Sequence, residues 1–210
     1  AAGGIGMIAD LAGNDRYLAG EFSQGGGYFY GLGLIVDRGG NDRYWGDRYS
    51  QAWAAHQASG ILIDGGGDDT YVARTAANQG AAWDQSTALL YDASGNDSYQ
   101  GDSLAQGSAA QQAIAFLVDG GGSDRYVANG EIAQGHSGTN EYHFDQAAPI
   151  GGVFSFSLLL DLLGPTAGQS PESDHFSTGH PAGGSIRLGT RDESRPANST
   201  LDGLRIDVSK

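Results

Sequence analysis

Hydrophobic and small residues alternate with a period of two along this chain, and the alternation returns at intervals of about 27 residues, a period in the range of repeat architectures. Two positions before Asp37, Asp64, Asp92 and Asp119 stand Ile35, Leu62, Leu90 and Leu117. Four positions before them stand Gly33, Gly60, Ala88 and Ala115, and six before stand Gly31, Ala58, Ser86 and Ala113. A two-residue period is that of a strand, whose side chains point alternately to opposite faces. The Ala-rich stretch Gln51–Ala58 reads as a helix in isolation. Its counterpart Gln24-Gly-Gly-Gly-Tyr-Phe-Tyr-Gly31 does not, because each glycine costs about 1 kcal/mol in a helix. The intervening residues Leu34/Val36, Ile61/Ile63, Leu89/Tyr91 and Phe116/Val118 are apolar as well. A strand apolar on both sides is normally covered on both sides, by the rest of the chain or by a partner.

The recurrence is carried by a core of the form Asp-x-x-Gly-x-Asp-x-Tyr. Its copies run Asp10–Tyr17, Asp37–Tyr44, Asp64–Tyr71, Asp92–Tyr99 and Asp119–Tyr126. So regular a step is the signature of a solenoid, in which each repeat is one coil and neighbours share a core. At roughly 3.3 Å per residue one repeat supplies three short strands with corners. Propeller blades need about 40 residues each and fit poorly. The predicted fold is therefore an all-β parallel solenoid.

The array is disturbed after residue 134. A sixth copy is recognisable in Phe154–Gly164. The stretch from Gln134 to its Asp161 is about double that from Gln24 to Asp37 or from Gln51 to Asp64, so a segment has been inserted between them. The core is interrupted by Pro165–Glu172 and resumes at Ser173-Asp174-His175-Phe176. We divide the chain into a repeat solenoid over 1–164 and an interrupted last repeat with a C-terminal loop or cap segment over 165–210. Within the latter, Leu204, Ile206 and Val208 have strand spacing.

Gly-Gly-Asn-Asp-Arg-Tyr, at residues 39–44, resembles the RTX nonapeptide Gly-Gly-x-Gly-x-Asp-x-U-x, where U is aliphatic or aromatic. The resemblance covers about eight residues in each repeat. It implies a parallel β-roll with calcium held between coils, and a calcium role for Asp15, Asp42, Asp69, Asp97 and Asp124. Here the second glycine is usually replaced, and one turn per coil carries the motif instead of two. Elementary electrostatics adds an independent argument. Stacked coils place like carboxylates about 4.8 Å apart, which is unfavourable unless each is paired, solvated or bridged by a cation. The first Asp of each copy (Asp10, Asp37, Asp64, Asp92, Asp119) forms a second ladder across the turn. Calcium takes six to eight hard oxygen ligands. The competing reading is that these residues cap their own turns while Arg16, Arg43 and Arg125 neutralise them.

Two further columns repeat. Gln24, Gln51, Gln79, Gln106 and Gln134 are expected to form an amide ladder that holds register. Tyr17 through Tyr126 are expected to stack in a corner, or, if exposed, to bind sugar rings. Four of five histidines fall in the disturbed region. Were the chain an enzyme, its acid, base or metal ligands would come from His136, Glu141, His143, Asp174, His175 and His180, on loops that break the scaffold.

Composition narrows the function classes. Eleven basic against 25 acidic residues give a net charge of −14, which argues against nucleic acid as a partner. The absence of cysteine excludes disulfides and thiol chemistry. No apolar run is long enough for a transmembrane helix. The chain opens inside a repeat, as a mature protein or an excised fragment would. Thr forms no ladder, so an ice-binding face is not expected, and no phosphate loop or nucleophile elbow is present. The reading is a secreted or cell-surface, calcium-stabilised solenoid acting as a structural, adhesive or binding module. Its partners would be polysaccharide, or a second copy through the apolar strand face. The alternative is a carbohydrate-active lyase or hydrolase working near 134–180.

Overall fold

A computed structural model describes residues 1–130, 132–138, 155–162, 175–178 and 204–207. The chain winds coil by coil. The first coil holds β1 (Ile5–Ala9), β2 (Arg16–Leu18) and β3 (Gly27–Tyr28), and the second holds β4 (Leu32–Val36), β5 (Arg43–Gly46) and β6 (Trp53–Ala55). The third has β7 (Ser59–Asp64), β8 (Thr70–Ala73) and β9 (Ala81–Trp83), and the fourth β10 (Thr87–Asp92), β11 (Ser98–Gly101) and β12 (Ala109–Ala110). Then follow β13 (Ile114–Asp119), β14 (Arg125–Ala128), β15 (Phe156–Asp161), β16 (His175–Thr178) and β17 (Leu204–Asp207).

These strands form three sheets that run along the stack, in the orders β1-β4-β7-β10-β13-β15-β17, β16-β14-β11-β8-β5-β2 and β12-β9-β6-β3. Every pairing is parallel and keeps the repeat register, so Leu62 lies beside Leu90 and Tyr71 beside Tyr99. No helix occurs among the described residues. The β-solenoid read from the period is the fold. The sixth copy pairs as expected, Asp161 with Asp119 and Phe176 with Tyr126. The stack also continues to β17, where Asp207 falls in register with Asp161.

Each coil is wide at one end and thin at the other. The wide end is filled by the ladder Ile35, Leu62, Leu90, Leu117, Leu159, packed on the tyrosine column. Tyr44, Tyr71, Tyr99 and Tyr126 are fully buried, with neighbouring rings 4.8 Å apart and within 3° of parallel. Burial rules out the exposed sugar-binding stripe and leaves the corner stack. At the thin end Ala54, Ala82, Ala88, Ala109, Ala113 and Ala115 form a separate small core. Only small side chains fit there, because the chain leading into β3 approaches the seven-stranded sheet closely enough for Ile61 N–H to donate to Gly25 O, at 3.0 Å. The outward residues of the seven-stranded sheet, Leu34, Ile61, Leu89 and Phe116, are half-buried.

The glutamine column corrects the amide-ladder expectation. Gln51 Nε2 donates to the carbonyls of Tyr44 and Val72, both at 2.8 Å, and Gln79 Nε2 donates to those of Tyr71 and Gln100, at 3.1 and 3.0 Å. Each side chain clamps two successive coils through their backbone and does not bond to the next glutamine. Its residue sits at positive φ, 58° for Gln51 and 54° for Gln79, which turns the chain and aims the side chain inward.

Candidate metal centre

The corner between the seven-stranded and six-stranded sheets carries the Asp motif. The first Asp closes the turn. Asp64 Oδ1 accepts the Gly66 N–H at 2.9 Å and Asp119 Oδ1 accepts the Gly121 N–H at 2.9 Å, an Asx-turn. The other oxygen of the first Asp receives a phenol from the preceding coil. Tyr44 Oη donates to Asp64 Oδ2 at 2.7 Å, Tyr71 to Asp92 Oδ2 at 2.8 Å and Tyr99 to Asp119 Oδ2 at 2.8 Å.

The second Asp ties coil to coil. Asp15 N–H donates to Asp42 Oδ1 at 2.6 Å, Asp42 N–H to Asp69 Oδ1 at 2.6 Å, Asp69 N–H to Asp97 Oδ1 at 2.7 Å and Asp97 N–H to Asp124 Oδ1 at 2.8 Å. The turn-capping reading thus holds for the first Asp of each motif, whereas the second Asp bonds the backbone of the neighbouring coil and not its own turn. Its companion, neutralisation by arginine, does not hold. Among the described residues the arginine–carboxylate pair is Arg74–Asp47, so Arg16, Arg43 and Arg125 neutralise no motif carboxylate.

The remaining oxygen of the second Asp is the unexplained feature. Asp42, Asp69 and Asp97 are 1%, 2% and 2% exposed, and Oδ2 of each is buried with no hydrogen-bond partner. Carboxylate oxygens of three residues converge at each step: Asp42, Asp64 and Asp69; Asp69, Asp92 and Asp97; Asp97, Asp119 and Asp124. Within each group the oxygens lie within 4.8 Å of one another, as they do for Asp10, Asp15 and Asp37 at the more open first coil. Asp69 and Asp97 each belong to two groups, so the three buried groups form one continuous file.

Burial of like charges penalises ionisation. Desolvation, reinforced by neighbouring carboxylates, pushes Asp42 up to about 6, Asp69 to about 7, Asp92 to about 8 and Asp97 to about 10. Asp64 is raised by its burial too, while the phenols of Tyr44 and Tyr71 hold it down. At neutral pH such a file retains protons or takes up cations. The ligand atoms are hard oxygens without nitrogen or sulfur, the donor set of calcium and magnesium and not of zinc or copper.

The candidate enzyme residues fare differently. His136 is exposed, with its backbone N–H on Ala133 O at 3.2 Å. His175 falls in register with Arg125. Glu141, His143, Asp174 and His180 lie outside the described residues. No helix of the described residues is long and apolar enough to cross a membrane. No protein-family model, curated protein or solved structure matches the chain.

One corner of the repeat region departs from the regular columns. Eight residues before the first Asp stand Phe29, His56, Asp84 and Gln111, different in every coil. His56 Nδ1 hydrogen-bonds to Asp84 Oδ2 one coil away. Aligning the copies on that column would have exposed the irregularity. Only the turn itself brings the two side chains together.

Proposed function

We propose that this chain is a calcium-stabilised β-solenoid, with the Asp corner serving as a file of cation sites, and that it acts outside the cell as a structural or binding scaffold. The observation that carries the reading is the buried, unpartnered Oδ2 of Asp42, Asp69 and Asp97, residues that each contribute a carboxylate to a group of three whose oxygens converge. A buried carboxylate oxygen without a donor is costly. A divalent cation removes that cost and the repulsion together. Asp42, Asp64 and Asp69 would hold one ion, and Asp69, Asp92 and Asp97 the next, with Asp69 bridging them. The local likeness to RTX turns supports the same choice of metal.

A second reading has its own support. The raised values at Asp92 and Asp97, about 8 and about 10, suit a file of protonated carboxyls that needs no metal. Melting curves distinguish the two. In millimolar calcium the melting temperature should exceed that in chelator by roughly 5–10 °C, since about 2.7 kcal/mol is gained at 100 times the dissociation constant and each kcal/mol is worth about 2–4 °C at this size. Asp42→Ala with Asp69→Ala should abolish the gain. Identical curves in calcium and chelator would leave the protonated file as the explanation.

A further inference from the structure

Outside the Asp file, the least repetitive chemistry lies on the corner leading from the four-stranded sheet back to the seven-stranded one. Each coil crosses it with two consecutive residues at positive φ: Phe29 (41°) and Tyr30 (60°), His56 (59°) and Gln57 (57°), Asp84 (55°) and Gln85 (56°), Gln111 (58°) and Gln112 (64°). Glycine is the cheap residue for such backbone, and this chain has 36 of them. None is used at these eight positions. Side chains are retained where the backbone would be better without them, and strain of this kind points from geometry to function.

Those side chains make a coherent surface. Phe29 and Tyr30 are 48% and 75% exposed. The Phe29 ring stacks on the His56 imidazole at 4.6 Å, and Tyr28 and Trp83 flank that imidazole at 5.1 and 5.4 Å. Asp84, itself 2% exposed, holds His56 through Nδ1. Nδ1 is taken by the carboxylate, and Nε2 is the ring nitrogen left for a hydroxyl, which can both donate and accept. Beside it runs a ladder of amides on the outer surface: Gln57 Nε2 donates to Gln85 Oε1 at 2.8 Å, and Gln85 Nε2 to Gln112 Oε1 at 3.2 Å. Each of these bonds uses one amide hydrogen and leaves a second on Gln57 and Gln85.

We propose that this corner binds a neutral oligosaccharide lying along the solenoid axis, its sugar faces on Phe29 and Tyr30 and its hydroxyls on His56, Gln57 and Gln85. A pyranose ring has an apolar C–H face and a rim of hydroxyls that both donate and accept, and the corner offers an aromatic surface next to repeated amides and an imidazole. A peptide strand is a poorer occupant. The corner's backbone is already spent between coils, with Tyr30 N–H on His56 O at 3.2 Å and Gln57 N–H on Asp84 O at 3.0 Å, so no edge is open for strand addition. Acidic glycans are disfavoured by the net charge of −14. The proposal goes beyond the cation file and stands without it.

The test is calorimetric titration of the full chain, in calcium, with cello-, xylo-, manno- and maltohexaose, and with oligogalacturonate as the acidic comparator. At least one neutral series should saturate. Phe29→Ala with Tyr30→Ala should weaken it at least tenfold and His56→Gln several-fold, while Tyr91→Ala, at the opposite end of its strand beside Asp92, should leave it unchanged. Should the double variant lose its cooperative melt, the exposed Tyr30→Ala alone decides, with a several-fold loss expected. Absence of saturation by every neutral series, tighter binding of oligogalacturonate, or wild-type affinity in the Tyr30 variant each overturns the proposal.

Discussion

The Tyr44 hydroxyl donates to Asp64 Oδ2 on the following coil at 2.7 Å, so an aromatic stack and an acidic ladder share one hydrogen bond. Gly66 N–H occupies the other oxygen of Asp64 at 2.9 Å. The first Asp is thereby engaged on both oxygens while the second, at Asp69, is engaged on one. That asymmetry divides their roles: the first Asp shapes the corner, and the second is left with an oxygen to give away.

Tyr44→Phe should report the charge on Asp64. A hydrogen bond to a charged group is worth about 1.5–3 kcal/mol, and one between neutral groups about 0.5–1.5 kcal/mol. Denaturant unfolding should show a loss at the upper end in calcium, with Asp64 ionised, and at the lower end in chelator. Equal losses in both media would separate Asp64 from the cation file.

Acid should stabilise the chelated protein. The folded values of Asp42, Asp69, Asp92 and Asp97, about 6, 7, 8 and 10, all lie above the ordinary 3.8. The folded state therefore binds more protons than the unfolded one. The contribution of these groups is complete below about pH 4 and is lost as pH rises through 6 to 10, by about 1.4 kcal/mol per pH unit for each group in its window. The chelated protein should melt lower at pH 8 than at pH 5. In calcium the trend should flatten or reverse, because the ion competes with protons for the same oxygens. A chelated melting temperature that climbs from pH 5 to pH 8 would contradict the protonated file.

Gly67→Ala should be severe and Gly20→Ala neutral. Gly67 has φ +147°, and a Cβ there would overlap the Gly40 carbonyl oxygen of the preceding coil. Nothing lies within 4 Å of a Cβ on Gly20. We expect a loss of more than about 2 kcal/mol for the first, from strain and forced separation of coils, and under about 0.5 kcal/mol for the second. Thermal melts of the two variants check this directly.

Gln79→Leu removes two hydrogen bonds, to Tyr71 O and Gln100 O, and with them the clamp between the third and fourth coils. The expected cost is about 2–4 kcal/mol. Hydrogen exchange should locate the loosening at the third and fourth coils. A loss confined to the first coil would show that the clamp is not local.

Coil length, strand positions and the two ladders could all be read from the chain, because stacking makes position within the repeat equivalent to position in space. Ile35 and Leu62, or Tyr71 and Tyr99, are neighbours for that reason alone, and identity of residue type announces it. The small residues that alternate with Ile35, Leu62, Leu90 and Leu117 mark that side as the inward one, and those four side chains are buried. What the sequence could not decide are the partners of Gln51 and its equivalents, whether the next glutamine or backbone. Three-dimensional packing settled these through the left-handed corners, many of which fall on Gln, Phe, Tyr and Ala, residues whose propensities do not mark them. The buried oxygens of Asp42, Asp69 and Asp97 and the pairing of His56 with Asp84 belong to the same class. Burial and the meeting of unlike side chains depend on how coils close against one another, and no single stretch of chain contains that information.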